Sequence, residues 1–126
     1  MGIRFLKMAV VYFTVGVIFG LVIGITQNFG FSSVHAHINL LGWASMALAG
    51  IIYHLFPAAG NHALAKAHFW LHAIGVPIMI IGLFWAVSAD EEKPIHVIFI
   101  STGALLAIIG VILFLINVLR NVKKAA

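Results

Sequence analysis

Ile95-His96-Val97-Ile98-Phe99-Ile100-Ser101-Thr102-Gly103-Ala104-Leu105-Leu106-Ala107-Ile108-Ile109-Gly110-Val111-Ile112-Leu113-Phe114-Leu115-Ile116-Asn117-Val118-Leu119 contains no Asp, Glu, Lys or Arg. A helix needs about 20 mainly apolar residues to cross roughly 30 Å of hydrocarbon, and this one stretch meets that need. Three more precede it, at Phe5 to Thr26, His35 to Pro57 and Ala65 to Val87. Together with short connections they use almost all of the 126 residues, leaving no room for a second folded unit. Hydrophobic residues make up 63% of the chain and charged residues 8%, with a mean hydropathy of +1.17, far outside the soluble balance. The expected fold is all-α: one four-helix transmembrane bundle over residues 1–126, with the lipid bilayer as its solvent.

The gaps between these stretches carry turn chemistry. Gln27-Asn28-Phe29-Gly30 and Ser32-Ser33 separate the first pair, with Ser32 or Ser33 expected to cap the second helix. Pro57 and Gly60-Asn61 end that helix, and Asp90-Glu91-Glu92-Lys93-Pro94 separates the last pair. The first stretch follows Arg4 and Lys7 as a signal peptide would. It is long, though, and lacks a small-residue cleavage site, so it reads as a retained helix.

Charge sets the orientation. Arg4 and Lys7 open the chain, Arg120, Lys123 and Lys124 close it, and Lys66 lies in the second connection; the first connection has no basic residue. By the positive-inside rule both termini are cytoplasmic, which places a multi-pass protein in the inner (cytoplasmic) membrane. His35, His37 and His96 then lie near the outer face, and His54, His62 and His68 near the inner one. The net charge of +4 flanks the spans instead of forming a patch with interleaved aromatics, so nucleic-acid binding is not indicated.

Glycines recur at positions 16, 20 and 24 on the first span and at 75 and 82 on the third. The expected role is close helix packing in lipid.

With no cysteine in the chain, a metal or haem ligand has to be imidazole, thioether, carboxylate or backbone, and the seven histidines become the candidates. Two residues on a helix are separated by about 200° around its axis, so His35 and His37 point to opposite flanks and cannot share one iron. One reading makes them interfacial histidines wetted by headgroups. The other makes them ligands in two pockets, with Asn39 and Ser45 to hydrogen-bond, Trp43 as an aromatic wall and Gly42 as a gap for a flat ligand. His68 and His72, one turn apart, could meet a common metal. Alternatively His68 sits at the inner interface and His72 hydrogen-bonds to a neighbouring helix. His72 is about 15–20 Å in depth from His37, so the two pairs serve different sites. His96 is the one other histidine at the depth of His35 and His37. His54 and His62 read as inner-interface residues.

The run His35-Ala36-His37-Ile38-Asn39-Leu40-Leu41-Gly42-Trp43-Ala44-Ser45-Met46, continuing through Gly50, Tyr53-His54 and Pro57, resembles the tenth helix of haem-copper oxidase catalytic subunits. The resemblance is greatest to the C-family cytochrome c oxidases and their nitric oxide reductase relatives. Ala67-His68-Phe69-Trp70-Leu71 with Ile74-Gly75 is similar to the eleventh helix of the same subunits. The first and fourth spans agree with that family only in being transmembrane. The resemblance implies that His35 and His37 are axial ligands of haem b in two separate pockets, lined by Asn39, Gly42 and Trp43.

The family's subunit has about twelve helices in three arcs of four, and this chain matches the last arc. A free-standing arc therefore implies a homotrimer with haem between His35 of one protomer and His37 of the next. The resemblance implies electron transfer, with a redox partner, or binding of a diatomic gas such as O2 or NO. A complete oxidase would need a copper site with three further imidazoles, of which only His96 lies at the right depth. The alternative is a non-catalytic oxidase-associated subunit, or a haem or copper assembly factor. A transporter lacks its usual intramembrane carboxylates, with Pro77 as its one candidate helix break.

Overall fold

The computed structural model describes residues 1–91 and 93–123; the expected charges of Glu92 and Lys124 lie outside the described residues. Four helical spans are long and apolar enough to cross a membrane: Gly2–Thr26, Phe29–Leu55, Ala63–Ser88 and Pro94–Asn121. No strand occurs among the described residues, and the chain is an all-α membrane bundle. The first span is helix α1 (Gly2–Thr26), closed by Gln27 in the left-handed region at φ 55°. The third and fourth are α5 (Ala63–Ser88) and α6 (Pro94–Asn121), the latter with Pro94 in its first turn, where the missing N–H costs nothing.

The second span is composite. A 3₁₀ turn at Phe29–Phe31 leads into α2 (Ser32–His37), then a π-helical stretch Ile38–Ala44, then α3 (Ser45–Leu55), with the short α4 (Pro57–Gly60) after Phe56. His35 is thus inside a helical run that begins earlier than expected, because Phe29–Phe31 already coil. Ser32 does not cap the helix: its hydroxyl donates to the Phe29 carbonyl at 2.7 Å, and the cap position falls on Phe31. Pro77, the candidate break, lies within an unbroken α5.

Glycine determines how the spans pair. Positions 75 and 82 press α5 against α6: a Cβ on Gly75 would lie 2.8 Å from the Gly103 carbonyl oxygen and one on Gly82 2.8 Å from Phe99 Cβ. Between α1 and the second span, a Cβ on Gly16 would lie 2.5 Å from Asn39 Oδ1, and one on Gly20 2.7 Å from His35 Cε1. Gly24 has nothing within 4 Å and takes no part in this packing.

The tight core sits at the end of the bundle that carries both termini. Phe5 and Ala9 of α1, Met46 and Tyr53 of the second span, and Ala65 and Phe69 of α5 are buried there, with Phe114 of α6 against them. Among the polar groups buried with them, Asn117 is satisfied. Asn117, fully inaccessible, donates through Nδ2 to the Ala59 carbonyl at 3.1 Å and to Tyr53 Oη at 3.4 Å, while its Oδ1 accepts from Asn121 at 2.7 Å. Deleting one partner of a buried hydrogen bond costs about 1–3 kcal/mol. Asn117→Ala should therefore lower the unfolding free energy in detergent by about that amount, as measured by chemical denaturation, whereas Ser101→Ala on the exposed face of α6 should leave it unchanged.

Candidate functional site at the end opposite the termini

At the other end of the bundle His35 and His37 occupy opposite flanks of α2, as a spacing of two demands. The His35 ring faces α1. It lies over Gly20 and is 6.5 Å, centroid to centroid, from the Phe19 ring. Asn39, one turn on, brings its Nδ2 to 3.2 Å from His35 Nδ1 and 2.9 Å from the His35 carbonyl oxygen. Asn39 therefore restrains the histidine, and Gly16 makes room for the amide.

His37 is held differently. Its Nδ1 lies 2.7 Å from the Ser33 carbonyl oxygen, which can only accept, so Nδ1 carries the proton and Nε2 keeps its lone pair. Histidines that bind metal characteristically donate their second ring N–H to a carbonyl in this way. The half-buried ring therefore keeps one nitrogen with a lone pair not used by this bond, as a metal-binding imidazole must.

Gly42 and Trp43 do other work than expected of them. The space beside Gly42 is filled by the Tyr12 ring of α1, and Trp43 packs on Phe13 at 4.7 Å between ring centroids. Both residues dock α1 and leave no slot for a flat ligand at that point. The open space lies instead beside Phe19. A cleft of about 430 Å³ is lined by Val15 and Phe19 of α1, Val34 and Ile38 of the second span, and Ile81, Phe84 and Trp85 of α5. Its size is that of a ligand site, its walls are apolar, and Phe19 separates it from the His35 ring.

His96 does not join this pair. It is 99% buried under Trp85 at 4.8 Å, its Nδ1 accepts from the Lys93 N–H at 3.3 Å, and its Nε2 finds no partner among the described residues. Among the described residues no three of His, Cys, Asp and Glu come together as a metal cluster.

Tyr53 lies at the end of the bundle that carries the termini, beside His68. The Tyr53 hydroxyl is 3.1 Å from His68 Nδ1, and His68 is buried, not interfacial. His72 does bond to a neighbouring span: its Nε2 donates to the Leu41 carbonyl at 2.9 Å. Leu41 belongs to the π-helical stretch, which Ser45 also braces by donating its hydroxyl to the Leu40 carbonyl at 2.7 Å. His62 caps α5, accepting from the Leu64 N–H at 3.2 Å. None of these three roles requires a metal. A sequence pattern could have announced only one of them, the cap, from a polar residue directly before an apolar run.

Comparison with known proteins gives a partial likeness. No protein-family profile matches the chain, and no solved structure matches it. The chain is 32% identical over 72 residues to the Cbb3-type cytochrome c oxidase subunit CcoN1 of Stutzerimonas stutzeri, an overlap covering 45% of this chain. The chain spans only about 15% of the length of that curated relative. It is a multi-pass membrane protein with a partial likeness to a cytochrome c oxidase subunit.

Proposed function

We propose that this chain is a membrane haem b protein, a reduced relative of the haem-copper oxidase subunit, that carries electrons or binds a diatomic gas. The single observation that carries this reading is His37, whose Nδ1–H donates to Ser33 and whose Nε2 lone pair is left available. His35, on the opposite flank and beside the apolar cleft, is the second ligand. Because the two face apart, each iron takes His37 from one protomer and His35 from its neighbour, and a closed ring of three copies, located in the inner membrane with its termini in the cytoplasm, satisfies every site.

Haem b bound there supplies one-electron redox chemistry when both axial positions are filled, and a site for O2 or NO when one is open. The chain's own residues do the rest. Ser33 fixes the His37 tautomer. The Asn39 amide nitrogen, held by the His35 carbonyl oxygen, restrains the His35 ring. Phe19, Phe84 and Trp85 keep water from the cleft and so hold the surroundings at low polarity.

The test is the reduced-minus-oxidised difference spectrum of the purified protein with and without carbon monoxide, together with haem per protomer. Sharp reduced bands that ignore carbon monoxide, at one haem per protomer, indicate bis-histidine electron transfer. A carbon monoxide shift indicates gas binding. Absence of haem after haem supplementation overturns the proposal and favours a non-catalytic subunit or assembly factor.

A further inference from the structure

The two ends of the bundle differ in charge. Arg4, Lys7, Lys66, Arg120 and Lys123 belong to the end that carries the termini, whereas the acidic residues of the chain are consecutive at positions 90–92, in the connection at the opposite end. No Asp or Glu side chain of the same chain is therefore available to neutralise the terminal-end cations.

That end also holds a cavity of about 540 Å³. Its walls include Gly2, Ile3 and Arg4 at the start of α1 and His54, Pro57 and Asn61 where the second span finishes. These walls are tied to one another. Gly2 packs directly on the second span, since a Cβ there would lie 2.7 Å from the Gly50 carbonyl oxygen, and the Met1 nitrogen donates to the Gly60 carbonyl at 3.1 Å. The cavity is thus formed before anything enters it, as small-molecule sites usually are.

What lines it is rich in donors and carries no carboxylate. Arg4 offers up to five N–H groups in a planar fork, His54 a ring N–H and Asn61 an amide NH2. The spans begin and end at this level, at Gly2, Leu55, Ala63 and Asn121, which puts the cavity at the depth of lipid headgroups. Toward the hydrocarbon, Ile3 and Val10 are exposed two turns apart on α1, and Ile51 and Leu55 one turn apart on α3.

The geometry points to a site in this cavity for the phosphate headgroup of an anionic phospholipid, with Arg4 as the residue that meets the phosphate. The guanidinium fork matches two phosphate oxygens, and the His54 and Asn61 donors share the same space. The acyl chains continue onto the apolar surface of Ile3, Val10, Ile51 and Leu55. A zwitterionic lipid brings a cation of its own to an end that is already basic, whereas an anionic one brings the missing counter-charge. Free inorganic phosphate shares the headgroup's chemistry but has nothing to lay on the apolar surface below, so the lipid is the occupant. The inference is independent of haem at His35 and His37.

Native mass spectrometry of the full chain in neutral detergent tests it, with phosphatidylglycerol or phosphatidylcholine of the same acyl chains added. The wild type should retain phosphatidylglycerol in preference to phosphatidylcholine. Arg4→Gln should weaken the retention about tenfold, which converts to about 1.4 kcal/mol, the lower end for a hydrogen bond to a charged group. Arg4→Lys, which keeps the charge and loses the fork, should fall between the two. Arg120→Gln removes the same charge at an exposed position outside the cavity and should leave retention near that of the wild type. Arg4 is itself exposed, so its variants fold, and helical content checks that. Equal retention of the two lipids, or equal losses in Arg4→Gln and Arg120→Gln, would overturn the proposal. Displacement of the bound lipid by inorganic phosphate alone would overturn the choice of a lipid as the occupant.

Discussion

His37→Ala is expected to empty the protein of haem, with the reduced absorption bands falling to the baseline and haem per protomer falling at least about tenfold. Ser33 would then have no ring N–H to receive, and no other described histidine takes over, because His96 is enclosed beneath Trp85 and His54 and His62 lie at the terminal end. Loss of an axial ligand acts directly on the metal bond, whereas loss of a group that orients a ligand costs about 10–100-fold in affinity. His35→Ala should abolish the bis-histidine spectrum and leave a five-coordinate species that binds carbon monoxide. Asn39→Leu should weaken haem retention in the intermediate range. Equal haem content in wild type and His37→Ala would remove the basis for the proposed function.

The second large effect falls on Gly103. A Cβ there would strike the backbone nitrogen of Met79, and nothing flexible lies between to yield. Gly103→Val is therefore expected to force α5 and α6 apart and cost more than the about 1–3 kcal/mol of ordinary overpacking, visible as loss of folded protein in thermal denaturation. Gly24→Val, on the same kind of glycine pattern but with open space around it, should fold as the wild type does. If both variants unfold alike, the contact between α5 and α6 is not what these glycines serve.

This contrast shows what could be read from the sequence and what could not. The four spans were legible because hydropathy over a membrane thickness is a local property, and their observed ends differ from the expected ones by a few residues, apart from the earlier start of the second. Glycine spacing announced close packing but not which glycines meet a neighbour, because that depends on how two helices cross; Gly24 meets nothing within 4 Å. The opposite placement of His35 and His37 followed from helical geometry alone. Gly42 read as a gap, yet a gap in one helix can be filled by a side chain from another, and Tyr12 is thirty positions away in the chain. The polar line through Tyr53, His68 and Asn117 joins three spans, so no window of sequence contains it.

The π-helical stretch was invisible for a related reason: its residues, Ile38 to Ala44, have the composition of any apolar helix. Seven residues wound more widely than an α-helix hold one residue more than regular winding would need for nearly the same rotation. Removing a single residue between 38 and 44 would therefore let the span relax to regular winding with His35 and His37 keeping close to their present direction relative to Tyr53, whereas removing one from the regular helix Ser45–Leu55 would turn the two ends apart by about 100°. A deletion in the wide stretch should accordingly be better tolerated than one in the α-helix beside it.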